Sequence, residues 1–292
     1  MLQSLQSETG KIKNILLKTP QSAFVNQEKV NEEWQKLNYT ACPNMEAAQE
    51  EYGHFLEALQ SVGIEVHFLP ENRELSIDSI YCRDASIMSN NGAILCRMGK
   101  VARRGESDAL GKFYEQIGLP ILGRIEGTGK MEGGDALWID ENTLAVGRGY
   151  RTNAEGIRQL KEMAQNRFEV IEVHLPHFRG EDDVFHLMSV ISPIDKDLAL
   201  VYSPLMPVAF RELLLEKGIQ LVEVPEQEFD SLGGNVLALG ARQCLMAEGN
   251  PITEQRLKDA GANVLTYKGT EISLKGCGGP TCLTRPIWRS VD

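Results

Sequence analysis

The stretch that decides the fold is Ala136–Gly147, which reads ALWI, then DEN, then TLAVG. Ala136–Ile139 is a short apolar run, and Asp140–Asn142 has the small polar residues of a tight turn. Thr143–Gly147 is a second apolar run of strand length. Two such runs joined by a short polar turn predict a β-hairpin.

This hairpin opens a longer pattern in which a helix and a third strand follow it. The pattern occurs four times between residues 85 and 267, and self-similarity at a fixed period predicts an array of equivalent units. The predicted hairpin strands, helix and last strand are Ala85–Met88, Ala93–Arg97, Asp108–Ile117 and Pro120–Ile125; Ala136–Ile139, Thr143–Gly147, Asn153–Ala164 and Glu169–Leu175; Leu187–Ser192, Leu198–Tyr202, Pro207–Glu216 and Gln220–Val224; Val236–Leu239, Cys244–Ala247, Thr253–Ala260 and Asn263–Tyr267.

The two ends of the chain supply the parts of a fifth unit. These are a strand Lys11–Leu17, a loop from Pro20, a helix Glu46–Leu59 begun by Asn44, a strand Val66–Leu69 and a final strand Leu283–Trp288. Pairing the final strand with the first would close the ring and remove exposed sheet edges. We therefore expect a single α/β domain over residues 1–292, a pseudo-fivefold propeller of ββαβ units with a central channel.

Composition restricts the class of partner. The net charge of −11 argues against nucleic acid, which needs basic patches. The first residues lack the basic and apolar regions of a signal peptide, and no apolar run reaches membrane-spanning length. Six cysteines without CxxC spacing predict reduced thiols rather than a zinc site. We expect a soluble cytoplasmic protein that binds a small molecule; a homo-oligomer stays open.

One polar residue immediately precedes the first strand of each predicted unit. These residues recur roughly every 50 positions and are Asp84, Asp135, His186, Asn235 and Cys282. If the units are equivalent in space, the five side chains face one another at one mouth of the channel. We therefore expect the active site there.

Cys282 follows a glycine-rich bend, Gly276–Gly279, and alone would be interpreted as a buried small residue. In one ring with His186 it forms the thiol–imidazole arrangement of an activated nucleophile, and Glu132 can orient the imidazole. The carboxylates of Asp84 and Asp135 would raise the pKa of the thiol. A cationic electrophile would relieve that conflict, and a planar guanidinium matches carboxylates.

Several motifs in order make the chain resemble the guanidine-modifying superfamily, the penteins, which includes dimethylargininases, arginine deiminases and amidinotransferases. They are Asp78…Arg83-Asp84, Ala102-Arg103-Arg104-Gly105-Glu106, Glu132-Gly133-Gly134-Asp135, Arg151-Thr152-Asn153, His186-Leu187-Met188-Ser189 and Gly278-Gly279-Pro280-Thr281-Cys282-Leu283-Thr284. The resemblance implies hydrolysis of an arginine-like guanidinium through a covalent thiouronium, with no metal or cofactor.

The same resemblance implies the role of each site residue. The implied catalytic residues are Cys282 as nucleophile, His186 as general acid and then base, and Glu132 as its orienting acid. The implied substrate contacts are Asp84 and Asp78 at the guanidinium, Arg103 and Arg151 at the amino-acid end, and Asp135 and Ser189.

Two positions depart from the family patterns and leave the subfamily open. Met188 stands where deiminases carry an aspartate, which favours a dimethylargininase. Arg83, before the binding aspartate, is commoner in deiminases and amidinotransferases. The hypothesis is a dimethylargininase-like hydrolase. The alternatives are an arginine deiminase or dihydrolase, an amidinotransferase, and a non-catalytic binding protein on the same scaffold.

Other polar residues have plainer interpretations. His174 and His177 straddle Pro176 without further ligands, which favours a surface loop over a metal pair. The acidic run Glu181–Asp183 is a solvated turn unless its loop reaches the site. Asn235 is interpreted as a structural mark of the repeat.

Overall fold

The computed structural model describes residues 2–291, which form five small sheets around a pseudo-fivefold axis. In four sheets an antiparallel hairpin is extended by a third strand that runs parallel to the second, and in the fifth two antiparallel strands from opposite ends of the chain take the place of the hairpin. The strands are β1 (Leu2–Ser4), β2 (Lys11–Leu17), β3 (Glu65–Phe68), β4 (Ser86–Ser89), β5 (Gly92–Leu95), β6 (Ile121–Arg124), β7 (Ala136–Asp140), β8 (Thr143–Arg148), β9 (Glu169–His174), β10 (Ile191–Asp195), β11 (Leu198–Val201), β12 (Gln220–Glu223), β13 (Val236–Gly240), β14 (Gln243–Ala247), β15 (Asn263–Tyr267) and β16 (Thr284–Val291).

Helices connect the second and third strands of every unit. In the described part of the chain, four units have one α-helix at this place, and the unit built from the chain ends has three. The helices are α1 (Pro20–Ala23), α2 (Gln27–Glu33), α3 (Met45–Ser61), α4 (Glu106–Gln116), α5 (Ala154–Ala164), α6 (Val208–Glu216) and α7 (Pro251–Asp259). Asn44 and Asn153 each accept a hydrogen bond from a first-turn amide at 2.9 Å, the usual N-cap arrangement. No helix within residues 2–291 has the length and apolar character needed to cross a membrane.

The termini complete the fifth unit, as predicted. Strand β16 pairs antiparallel with β2, and β2 runs parallel to β3. Strand β1 adds to the free edge of β16. Each helix packs on its own sheet; Ile157 and Leu160 of α5, for example, are buried against Leu144 and Trp138. The indole of Trp138 donates to the carbonyl of Met88 at 3.0 Å and so joins adjacent units.

Two sequence predictions about secondary structure are wrong. The segment after Thr19 is helical rather than a loop, since Pro20 starts α1 and Asn26 caps α2. The strand predicted over Leu187–Ser192 starts only at Ile191, because Leu187–Ser189 form a 3-10 turn.

The cause of the second error is a local side-chain hydrogen bond. The amide of His186 donates to the Ser189 hydroxyl at 3.0 Å, and the amide of Ser189 donates to the His186 carbonyl at 3.0 Å. Such bonds compete with strand pairing. His186 therefore precedes a turn, not a strand, and is out of register with the other four residues of the predicted ring.

Candidate active site

A cavity of about 640 Å³ opens at one end of the channel, and residues from several units line it. Cys282 comes from the bend before β16, His186 from the turn before β10, and Asn235 from the residue before β13. Gly134 lines it from the turn before β7. The predicted convergence of these segments therefore holds, although His186 reaches the site from a different register.

Glu132 and His186 form a buried ion pair beside this cavity. Oε2 of Glu132 lies 2.7 Å from Nε2 of His186, and Oε1 accepts from the backbone amide of Lys100 at 2.9 Å. Burial alone would raise the pKa of Glu132, but the hydrogen bond and charge of His186 hold it well below its usual range. This is the orienting contact that the sequence predicted for Glu132.

The imidazole of His186 is surrounded by carboxylates. Burial disfavours its charged form, but the carboxylates of Asp84, Asp135 and Glu132 outweigh burial and raise the pKa of His186 to about 9. The resting ring is therefore protonated at neutral pH. It can give a proton to a departing group.

Cys282 is half-buried at the wall of the cavity, and Asn235 holds its sulfur. Nδ2 of Asn235 donates to Sγ at 3.2 Å, while its Oδ1 accepts from the amide of Thr281 at 3.1 Å. A Cβ at Gly279 would lie 2.6 Å from Asn235, so this close approach requires glycine. Burial, with the charge of Asp84, raises the pKa of Cys282 to about 11. The resting sulfur is therefore a thiol.

Asn235 thus touches the candidate nucleophile and is more than a mark of the repeat. The repeat register had placed it in the same ring as Cys282. That register was the signal that could have identified it as a site residue.

Asp84 already binds a guanidinium, that of Arg103. Nη1 of Arg103 lies 2.6 Å from Oδ2 of Asp84, and Oδ1 accepts from the amide of Gly134 at 3.0 Å. The other guanidinium nitrogens donate to Glu106 at 2.8 Å and to the Tyr81 carbonyl at 2.8 Å. Arg103 is buried and does not line the cavity.

Arg151 is placed in a similar way. Its Nη1 lies 3.4 Å from Oε2 of Glu132, and its Nη2 lies 3.3 Å from the carbonyl of Asp183. The structure therefore directs both arginines assigned to the substrate's amino-acid end towards site carboxylates instead. Neither of them lines the cavity.

Arg179, which sequence reasoning missed, is the exposed cation at the cavity. It packs over the Phe178 ring at 4.7 Å and pairs with Asp230 at 2.7 Å. Asp183 lines the same cavity, so the acidic run before His186 does reach the site. The acidic run was the sequence signal that could have identified this loop as part of the site.

The remaining sequence-predicted residues lie behind the cavity surface or support it. Asp78 is buried with Lys100, 2.7 Å away. Asp135 accepts from the amide of Leu187 at 2.9 Å, and burial raises its pKa to about 6. Neither aspartate lines the cavity, whereas Ser189 does, and its hydroxyl anchors the backbone of His186.

Three donor atoms of Asp84, Glu132 and His186 lie within 4.8 Å of one another, close enough to share a cation. Each already has a protein partner: Arg103 on Asp84, and the Glu132–His186 bond itself. Glu132 therefore holds the imidazole by a hydrogen bond, and Asp84 acts on it through its charge.

Comparisons with known proteins show the family to which the chain belongs. The chain matches a family described as N,N dimethylarginine dimethylhydrolase, eukaryotic, over residues 19–289. It is similar to an N(G),N(G)-dimethylarginine dimethylaminohydrolase of Streptomyces coelicolor, 30% identical over 243 residues, or 81% of this chain and 84% of that protein.

Two solved structures share the fold. DDAH from Pseudomonas aeruginosa, a cysteine-to-serine variant complexed with citrulline, superposes with a TM-score of 0.77 at 22% identity, covering 94% of this chain and 98% of that one. The N-terminal domain of ArgZ, an arginine dihydrolase in cyanobacteria, gives 0.80 at 19% identity, covering 94% and 97%. These structures show the fold. The family match and the Streptomyces coelicolor relative establish that the chain belongs to the dimethylarginine dimethylhydrolase family of the pentein superfamily, hydrolases that act on carbon–nitrogen bonds of guanidino groups.

Proposed function

We propose that the protein hydrolyses the guanidinium group of an Nω-substituted arginine such as dimethylarginine, giving citrulline and an amine. The observation that carries this proposal is the Glu132–His186 ion pair, 2.7 Å long, whose imidazole lines the same cavity as Cys282. A protonated imidazole and a thiol at one cavity are the groups that amidine hydrolysis by covalent catalysis needs.

The first half-reaction forms a bond between sulfur and the guanidinium carbon. Because the pKa of Cys282 is raised to about 11, the thiol must lose its proton to solvent when the cationic substrate binds and its charge favours the thiolate. The thiolate attacks the central carbon and gives a neutral tetrahedral adduct. His186 then protonates the substituted nitrogen, which leaves as an amine, and a thiouronium cation stays on Cys282.

The second half-reaction restores the enzyme. His186, now neutral, takes a proton from a water molecule, and the resulting hydroxide attacks the thiouronium carbon. The carbon–sulfur bond breaks, Cys282 leaves as a thiolate, and the released amine takes up the hydroxyl proton. The thiolate then takes back from solvent the proton that it lost in the first half-reaction. The products are a ureido compound and a protonated amine, with His186 protonated again.

We assign the substrate guanidinium to Asp84. Its contact with Arg103 supports this, since Arg103 carries the same chemical group in a buried bond of 2.6 Å. A carboxylate oxygen has two lone pairs, so Asp84 can accept a second guanidinium beside Arg103.

At the cavity rim we assign the substrate's amino-acid end to Arg179 and Asp230, because Arg103 and Arg151 are paired elsewhere. An Arg179→Ala variant is expected to raise KM for arginine substrates and leave KM for agmatine, which lacks the carboxylate, unchanged. An equal rise for both would remove this assignment.

The preference for a substituted guanidinium rests on the cavity wall. Met188 lines it beside Phe185 and Phe229, which gives N-methyl groups an apolar surface and offers no carboxylate at position 188. Plain arginine is the second candidate substrate, because Arg83 is the residue typical of deiminases. Its guanidinium pairs with Glu8 at 2.6 Å and therefore does not block the site.

A substrate panel tests the proposal. Purified protein is incubated with arginine, mono- and dimethylarginine, agmatine and guanidino acids, and ureido product and released amine are measured. Dimethylamine from dimethylarginine is expected. Ammonia from arginine alone would favour a deiminase, and product that needs an amine acceptor would favour an amidinotransferase. No turnover of any guanidine would leave the binding-protein alternative. A cytoplasmic location stays a prediction, checked by cell fractionation.

A further inference from the structure

Three arginines are buried together in the middle of the ring, directly behind the active-site cavity, whose lining includes Arg83. They are Arg83, Arg285 and Arg289, none more than 5% exposed. Burying a guanidinium is unfavourable unless a carboxylate or other acceptor compensates it. The charges and hydrogen-bond acceptors around this cluster therefore indicate whether a further group binds there.

The acceptors that the described residues supply do not match these donors. Arg83 pairs with Glu8 at 2.6 Å, Arg289 donates to the carbonyls of Gly10 and Ala238, and Arg285 donates to the carbonyl of Arg83. Within residues 2–291, the one ion pair that any of the three guanidiniums forms is that of Arg83 with Glu8. Three positive charges against one negative charge leave two uncompensated.

Several nitrogen atoms of the same arginines have no hydrogen-bond partner within residues 2–291. These are Nε of Arg83, Nε of Arg285, and both Nε and Nη2 of Arg289. Buried polar groups are nearly always hydrogen-bonded to protein or to a bound species. Burial and the charge of Arg83 lower the pKa of Arg285 to about 10, and burial lowers that of Arg289 to about 10. Both remain cationic at neutral pH.

Two small cavities lie against these atoms. One, of about 10 Å³, is lined by Arg83, Arg285 and Glu8, and the other, also about 10 Å³, by Arg289 and Glu8. Such a volume holds one water-sized species. Strands β4, β7, β10, β13 and β16 all contribute lining residues, which places the pair at the centre of the ring.

We propose that this central arginine cluster binds a small monovalent anion, chloride under ordinary conditions. The anion accepts the unpartnered guanidinium N–H groups and offsets the excess positive charge. Water fits the volume but supplies no negative charge. Arg83 also donates its backbone amide to the carbonyl of Cys282 at 3.2 Å, so the anion stabilises the segment that carries the nucleophile.

Chloride dependence of thermal stability is the first test. The protein is prepared without chloride, and Tm is measured in sodium chloride and in sodium gluconate at equal ionic strength. We expect a saturable rise in chloride, about 3 °C at ten times the half-saturating concentration. Arg289→Met should abolish the difference, whereas Arg256→Met, which changes an exposed arginine outside the cluster, should retain it.

Crystals grown in bromide give the deciding measurement, and they need no variant that folds. An anomalous peak in contact with a guanidinium nitrogen of Arg83, Arg285 or Arg289 supports the site. Absence of any such peak overturns the proposal, even if Tm depends on chloride, because the salt effect then arises at the surface. Equal Tm in both salts overturns it too.

Discussion

Replacing Glu132 with glutamine should change the proton affinity of His186 and the activity together. The amide keeps the size of the side chain but cannot carry the negative charge that lies 2.7 Å from Nε2. The charges of Asp84 and Asp135, which also raise the pKa of His186, remain, and the burial that lowers this pKa is unchanged.

The magnitude follows from the shift in the native protein. A pKa of about 9 against an ordinary 6.5 corresponds to roughly 3 kcal/mol of stabilisation of the folded state. Because the folded pKa is raised, this contribution is fully present below pH 6.5 and is lost as pH rises through 9. A hydrogen bond to a charged group contributes about 1.5–3 kcal/mol, so Glu132→Gln should lower the pKa of His186 by about 1 to 2.

NMR titration of ¹³C-labelled histidine measures this pKa directly, with the His186 signal assigned by substitution. Urea unfolding at pH 6.5 and 9.5 should show the loss of stability with rising pH in the native protein and a smaller loss in Glu132→Gln. Turnover at neutral pH should fall by about 10² to 10⁴-fold, since the acid is mispositioned and less protonated.

Glu172→Gln is the matched control for this experiment. Glu172 lies 3.3 Å from His174 on the surface, so its removal should leave the His186 titration and the activity unchanged. An unaltered His186 titration in Glu132→Gln would refute the electrostatic reasoning.

The other predictions concern the support of the nucleophile and the histidine. Removing the amide in Asn235→Ala deletes the 3.2 Å bond to Sγ, so alkylation of Cys282 by iodoacetamide at pH 8 should slow about 10-fold; an unchanged rate contradicts this role. In Gly134→Ala the new Cβ would lie 2.6 Å from Nδ1 of His186, and we expect lost activity and a stability loss of about 1–3 kcal/mol by urea unfolding. The helical Gly53→Ala, whose Cβ meets nothing within 4 Å, should instead stabilise the protein by up to about 1 kcal/mol; equal effects of the two alanines would dismiss the steric argument.

The fold was predictable because each unit repeats its own local signals. The alternating apolar runs, the short polar turns and the asparagine cap before α3 can each be recognised within a few residues of sequence. The closure of β16 on β2 followed from the two incomplete ends. The turn at Leu187–Ser189 could not be predicted from the apolar pattern, because the same residues also fit a strand. The turn forms because the Ser189 hydroxyl accepts a hydrogen bond from the backbone amide of His186.

The sequence predicted which types of residue form the site, but it was less informative about which side chains contact one another. Repeat register brought Cys282 and Asn235 together, and motif order supplied Glu132. The repeat register does not indicate which partner a long side chain contacts. The sequence therefore predicted that Arg103 and Arg151 contact the substrate, whereas they form ion pairs with Asp84 and Glu132. Arg179 belongs to a loop outside the repeat, where periodicity carries no information.

Trapping the covalent intermediate tests the central claim most directly. Protein in steady-state turnover of dimethylarginine is quenched in acid, its intact mass is measured, and the modified peptide is sequenced by mass spectrometry. The account predicts one thiouronium adduct on Cys282, absent from Cys277 in the same segment, and neither adduct nor product in Cys282→Ser. Turnover by Cys282→Ser at the native rate would contradict it.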